Sequence, residues 1–174
     1  ALGVKWRPHV KTHKCLEVLR LQLDNMQGPI TVSTVYEAEF FAGHGVEDII
    51  YAVGIAPHKL PAIDNLNRAG ADIKIVLDSV EAADAVSSFC KENQTKIGVL
   101  IEIDCDGHRS GVKPDDPVMI DIAKALTEGA VFKGVLTHAG ESYKATNIEE
   151  ARVHAENEVK SINRAKDLLA GAGF

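Results

Sequence analysis

Ile97-Gly98-Val99-Leu100-Ile101-Glu102-Ile103 is the most continuous strand run in the chain, and Asp104-Cys105-Asp106-Gly107-His108-Arg109 follows it at once. A run so nearly apolar suits a strand covered on both faces, as strands of parallel sheets are. Helix patterns flank it, an alanine-rich one over 80–93 and another over 117–126, with Pro117 in its first turn and Gly129 near its end. Towards the amino end, residues 73–77 read as a strand, 60–69 as a helix stopped by Gly70, and 48–55 as a strand closed by Ala56-Pro57. Residues 37–42 read as a short helix and 30–35 as a β-branched strand. Residues 3–6 read as the end of a further strand. A helix follows over 12–27, with Leu16, Leu19, Leu23 and Met26 at helical spacing until Gly28-Pro29. Towards the carboxyl end, 131–136 is a strand and 148–169 a long charged helix ending at Gly171.

The order is therefore strand-helix repeated six times, which implies an α/β fold with a parallel sheet. An open doubly wound sheet and a (β/α)8 TIM-type barrel both fit that order. No GxGxxG follows any of the strands, which removes the usual support for a dinucleotide fold. Polar residues with useful chemistry stand instead after several different strands: His9, Lys11, Arg109 and His138. Chemistry spread over many strand ends is the barrel's habit, and the barrel is the favoured reading.

Composition narrows the function. The 174 residues are 45% hydrophobic and 25% charged, as in a soluble globular domain. No apolar run approaches the roughly 18 residues of a membrane helix, so no membrane role is expected. Twenty-five acids against 19 Lys and Arg give a net charge of -6, which disfavours nucleic acid as a partner. Three widely spaced cysteines, Cys15, Cys90 and Cys105, suggest neither a disulfide framework nor a CxxC metal site. Reduced thiols and a cytoplasmic location are the plain reading.

The densest chemistry is Arg7-Pro8-His9-Val10-Lys11-Thr12-His13-Lys14, five basic or imidazole side chains in eight residues. A solvated basic loop is one reading. A metal pair from His9 and His13 is another, since i, i+4 spacing works on a helix, but Pro8 argues against that register. The third is an amine nucleophile. Like charges crowd Lys11, which disfavours its ammonium form, and an activated lysine at a strand end is the usual recipe for a Schiff base with a carbonyl compound.

The same octapeptide resembles the lysine motif of the D-threonine aldolase and D-serine dehydratase family, fold-type III pyridoxal phosphate enzymes with an alanine-racemase-like barrel. The resemblance implies an internal aldimine at Lys11, with Lys14 only its neighbour. Residues 103–112 resemble that family's Asp-x-Gly-x-x-Arg-x-Gly segment, slightly shifted at Cys105-Asp106-Gly107, and imply that Arg109 faces the cofactor's phenolic oxygen. Without the motif, Arg109 would be read as a loop salt bridge to Asp104 or Asp106. Thr137-His138-Ala139-Gly140-Glu141-Ser142-Tyr143 is similar to the family's Thr-His-Ala-Gly-His-Ser-Tyr stretch. It implies His138 beside the cofactor ring and Tyr143 as a donor to ring or phosphate. Glu141 departs from the second His common at that position. Trp6 and Tyr36 are candidates either for the pocket wall or for the core.

The resemblance implies pyridoxal 5'-phosphate, a D-amino acid substrate, and a lyase or aldolase that cleaves β-hydroxy-D-amino acids. D-serine dehydration, amino acid racemisation and non-catalytic pyridoxal phosphate carriage remain alternatives. It also implies a homodimer at full length. The family's phosphate-binding Gly-Ser-Thr loop and the divalent metal (Mn, Mg or Zn), held by a C-terminal β-domain, are expected outside these residues. Six units of roughly 29 residues, where a barrel needs eight, give an incomplete barrel domain over 1–174 that should be inactive alone.

Overall fold

A computed structural model describes residues 3–174 of the chain. Five strands form one sheet: β1 (Ile30–Val32), β2 (Asp48–Gly54), β3 (Asp72–Leu77), β4 (Gly98–Ile103) and β5 (Val131–Thr137). The helices are α1 (Leu16–Arg20), α2 (Val35–Ala42), α3 (Leu60–Arg68), α4 (Val80–Glu92), α5 (Val118–Thr127) and α6 (Ile148–Gly171). Every pairing is parallel and the strands lie in chain order, β1 to β5. That order decides between the two architectures. A doubly wound sheet reverses its strand order part-way, whereas a barrel is wound in one direction throughout. The sheet also curls, because residues of β1 and β5 line the same cavity.

The pleat sorts the strand residues by period two. Ile49 and Tyr51 of β2, Ile73, Ile75 and Leu77 of β3, and Val99, Ile101 and Ile103 of β4 pack into the core with Ala83 and Val86 of α4 and Met119 and Ile122 of α5. Each such fully buried aliphatic side chain stabilises the fold by about 1.5–3 kcal/mol. The alternate residues, among them Lys74, Gly98, Leu100 and Glu102, turn to the barrel interior. Helix starts are set locally: Thr34 Oγ1 accepts Glu37 N–H at 3.0 Å, Ser79 Oγ accepts Ala82 N–H at 3.2 Å, and Asn147 Oδ1 accepts Glu150 N–H at 3.0 Å.

The first unit differs from the sequence reading. Residues 3–6 form no strand; the first strand position is reduced to one parallel bridge between His9 and Thr31. Pro8 has no N–H to give to a ladder, and its carbonyl instead accepts Thr31 N–H at 2.9 Å. Five regular strands are present among the described residues where six were expected. The helix expected over 12–27 shrinks to α1: Lys14 at φ 48 breaks the helical backbone before it, and at its far end Asn25 Oδ1 takes Gln27 N–H at 3.0 Å in a local turn. Leu19 is nevertheless buried, and Leu16, Leu23 and Met26 pack against the same core. No helix among the described residues is long and apolar enough to cross a membrane.

Candidate active site

The lysine segment is seated from below by charge. The Arg7 guanidinium donates to both carboxylate oxygens of Asp48 at 2.8 and 2.9 Å and to the Ile30 carbonyl at 3.0 Å. Lys74 Nζ reaches the same carboxylate at 2.8 Å. Burial pushes Asp48 up, but the Arg7 and Lys74 hydrogen bonds and charges outweigh it and hold the carboxyl below its ordinary value. Beyond the His9 bridge, Val10–Thr12 make one 3-10 turn with Val10 buried, and Val10 O accepts Lys14 N–H at 2.8 Å. Lys14 sits at φ 48 and is held there by Glu37, whose Oε1 lies 3.1 Å from its ammonium. Glu37 is itself buried and accepts Ser33 N–H at 2.7 Å.

This seating disperses the expected crowd of positive charge. Arg7 and Lys14 are neutralised by carboxylates, and His13 Nε2 lies 3.1 Å from Gln22 Oε1. His9 and His13 take different partners, Ser33 and Gln22, and only His9 lines the cavity; no group of three or more His, Cys, Asp or Glu among the described residues is placed to hold a metal. His9 and Lys11 alone of the five line the cavity at the carboxyl ends of the strands.

That cavity has a volume of about 380 Å³, and Arg109 and His138 from the far side of the sheet share its wall. His9 Nδ1 accepts the backbone N–H of Lys11 at 3.4 Å, and its Nε2 lies 3.3 Å from Ser33 Oγ. Burial and then the Lys11 charge hold His9 below the ordinary imidazole value. For His138 the causes are burial, then Arg109, then Lys11, with the same sign. Two neutral imidazoles, one amine and one guanidinium thus feel one another across a single cavity. Arg109 does not make the loop salt bridge that its neighbours offered. Asp104 Oδ1 accepts Gly107 N–H at 2.9 Å, Asp106 Oδ2 accepts Glu141 N–H at 2.8 Å, and among the described residues neither carboxylate ion-pairs with the guanidinium.

Tyr143 stands outside the cavity wall. Its side chain is 76% exposed, its hydroxyl lies 3.5 Å from His138 Nε2, and the two ring centroids are 5.8 Å apart. Trp6 and Tyr36 are mostly exposed and neither lines the cavity, so neither the pocket nor the core holds them. Cys105 is buried and its thiol is pushed up by burial, which removes it as a nucleophile at neutral pH.

Sequence reasoning missed Glu102. It is only 7% exposed, lines the cavity beside Arg109, and accepts a long hydrogen bond of 3.5 Å from Ser110 Oγ. Burial and then the nearby Asp78 push its carboxyl up. The signal was available: Glu102 is the one charged residue in an otherwise apolar strand run. Thr31, Ser33, Ser110 and Thr137 also line the wall, with the Thr137 hydroxyl donating to the Ile103 carbonyl at 2.6 Å, and nothing in their spacing marked them.

A parallel strand-helix barrel with a lysine, an arginine and two imidazoles gathered at the strand ends is the class of protein these features define. Within that class the chain belongs to the alanine racemase N-terminal domain family, whose model matches residues 1–174. It is 46% identical over 176 residues to a D-threo-3-hydroxyaspartate dehydratase of Delftia sp. (strain HT23), covering all of this chain and 46% of that protein. It is 31% identical to a D-serine dehydratase of Dictyostelium discoideum, covering 98% of this chain and 49% of the other. Among solved structures, an alanine racemase-like protein of Idiomarina loihiensis superposes with a TM-score of 0.96 at 41% identity, over 99% of this chain and 46% of that one. The chain spans about half the length of the curated relatives it matches.

Proposed function

We propose that the chain is the cofactor-bearing part of a pyridoxal phosphate-dependent lyase acting on β-hydroxy-D-amino acids, with Lys11 as the attachment point. The single observation that carries the reading is the convergence of Lys11, His9, Arg109 and His138 on one cavity at the carboxyl ends of the strands. The donor set suits the group. Lys11, Arg109, two imidazoles and the hydroxyl-bearing Thr31, Ser33 and Ser110 line a cavity that would take a phosphorylated, anionic aldehyde, and of the lining residues only Glu102 opposes it in charge.

Lys11 would hold the cofactor's carbonyl carbon, Arg109 would face its phenolic oxygen, and His138 would lie beside its ring. When bound, the cofactor withdraws the electron pair left at Cα of the substrate. The residues of this chain do the rest. Lys11, as the residue that would hold the cofactor, would also be the amine placed to accept a proton from the substrate. Arg109 would supply positive charge to an anionic oxygen bound in the cavity. His9, neutral and fixed by the Lys11 N–H and Ser33, holds or moves a proton at Nε2.

Aldol cleavage would break Cα–Cβ and leave glycine and an aldehyde; dehydration would remove the α-proton and the β-hydroxyl. The 46% identity to a D-threo-3-hydroxyaspartate dehydratase favours dehydration. A divalent ion near the substrate hydroxyl and the phosphate cup belong, in this reading, to residues outside these 174, and the full-length protein would be a homodimer. The test is product analysis of the full-length protein with D-threonine, D-serine and D-threo-3-hydroxyaspartate, with and without chelator. A keto acid with ammonia supports dehydration, glycine with an aldehyde supports the aldolase, and no turnover of any D-amino acid favours a non-catalytic carrier.

A further inference from the structure

We infer that Asp106 and Gly140 latch the loop after β4 to the loop after β5, and that this latch sets Arg109 over the cavity. The inference rests on the cofactor reading above for what Arg109 faces. Neither latch residue lines the cavity.

Asp106 works across 35 residues of chain: its Oδ2 accepts the backbone N–H of Glu141 at 2.8 Å, at the start of the 3-10 turn Glu141–Lys144. Its Oδ1 accepts His108 N–H at 3.2 Å. Burial pushes Asp106 up, but those two backbone donors outweigh it and hold the carboxyl below its ordinary value, so an ionised acceptor closes the latch at neutral pH. His108 Nδ1 completes the knot, 2.9 Å from the Asp106 carbonyl and 3.3 Å from Glu141 Oε1, while Lys144 holds the same Oε1 at 2.7 Å. Glu141, where the sequence departs from the family pattern, thus acts between the loops and not in the cavity.

Gly140 is the other half. A Cβ built there would stand 2.9 Å from Arg109 Cδ and 3.1 Å from Cγ. The methylenes of Arg109 therefore lie directly on the backbone two residues after His138, and any side chain at 140 would push Arg109 aside. From the other side Asn157 of α6 donates to the Cys105 carbonyl at 2.7 Å. The loop bearing Arg109 is held from both flanks, and His138 and Arg109 keep one relative position because their loops are tied together.

The test uses the full-length protein and the variants Asp106→Ala, Asp106→Asn and Gly140→Ala, with Arg109→Ala as the limit. Three quantities are read: hydrogen exchange of the peptide containing the Glu141 amide without cofactor, pyridoxal phosphate affinity, and the pH at which bound cofactor changes its absorbance. Asp106→Ala is expected to speed the exchange, weaken cofactor binding roughly tenfold, and move the absorbance transition towards that of Arg109→Ala. Asp106→Asn, which keeps an acceptor, should fall between. Gly140→Ala should move affinity and absorbance without removing the Asp106 acceptor. Faster exchange with wild-type affinity and absorbance in both Asp106→Ala and Gly140→Ala overturns the positioning role. Unchanged exchange in Asp106→Ala overturns the latch itself. If Arg109→Ala binds cofactor with wild-type affinity and absorbance, the role given to Arg109 fails instead, and the exchange data still decide the latch.

Discussion

The backbone N–H of Lys11 donates to Nδ1 of His9 across 3.4 Å, so the imidazole next to the candidate nucleophile has one nitrogen committed as an acceptor. Its other nitrogen carries the proton and points at Ser33 Oγ. Protonating Nδ1 would break the contact with Lys11 N–H. Charge on His9 is disfavoured by burial and by the Lys11 ammonium as well.

A pH dependence follows with a definite sign. His9 and His138 are both held below the ordinary value of about 6.5. The unfolded chain then binds protons before the folded one as pH falls. Stability is full above about pH 6.5 and declines below it until the lowered folded-state values are passed. Urea midpoints followed from about pH 7.5 to 5 should show the decline, and His9→Gln and His138→Gln should each flatten it. A slope unchanged by both variants would contradict the assignment.

Glu102 has the opposite sign. Its carboxyl is raised by burial, so it weighs against the fold as pH rises from about 4.3 through the folded-state value. Glu102→Gln, which keeps an acceptor for Ser110, should raise the melting temperature at neutral pH without cofactor. The gain should shrink as pH falls through about 4.3 and vanish near pH 3, where both states are protonated. Thermal melts at the two pH values read this directly.

Asp48 joins three elements: the Arg7 segment, β2, and β3 through Lys74. Asp48→Asn leaves the Arg7 guanidinium without its carboxylate, while Lys74 keeps Asp72 at 2.6 Å, and should cost about 1 kcal/mol, discounted for the partial exposure of the pair. Because Arg7 also holds the Ile30 carbonyl, Lys11 should be displaced as well. Denaturant titration gives the first effect, and the rate at which Lys11 reacts with an aldehyde gives the second.

Much of the architecture was legible because β2 to β5 are long, apolar and punctuated by Gly or Pro, and because β-branched runs alternate with capped helices. The barrel reading came from chemistry placed after separate strands, and the strand order bears it out. The first unit was not legible. Pro8 removes a ladder donor and Arg7 turns its side chain to Asp48, 41 residues away, a pairing that no local pattern announces. The same distance problem hid the fate of the basic octapeptide: Lys14 belongs to Glu37 and His13 to Gln22, leaving His9 and Lys11 for the cavity. Glu102 was visible as a letter, but whether it turned inward depended on a register that only the sheet supplies.

The covalent role of Lys11 is tested most directly by adding pyridoxal phosphate to the full-length protein, reducing with borohydride and mapping the modified peptide by mass spectrometry. The account predicts one stoichiometric adduct on Lys11, lost in Lys11→Ala and retained in Lys14→Ala. An adduct on Lys14 or any other lysine, or none above the level of a denatured control, would contradict it.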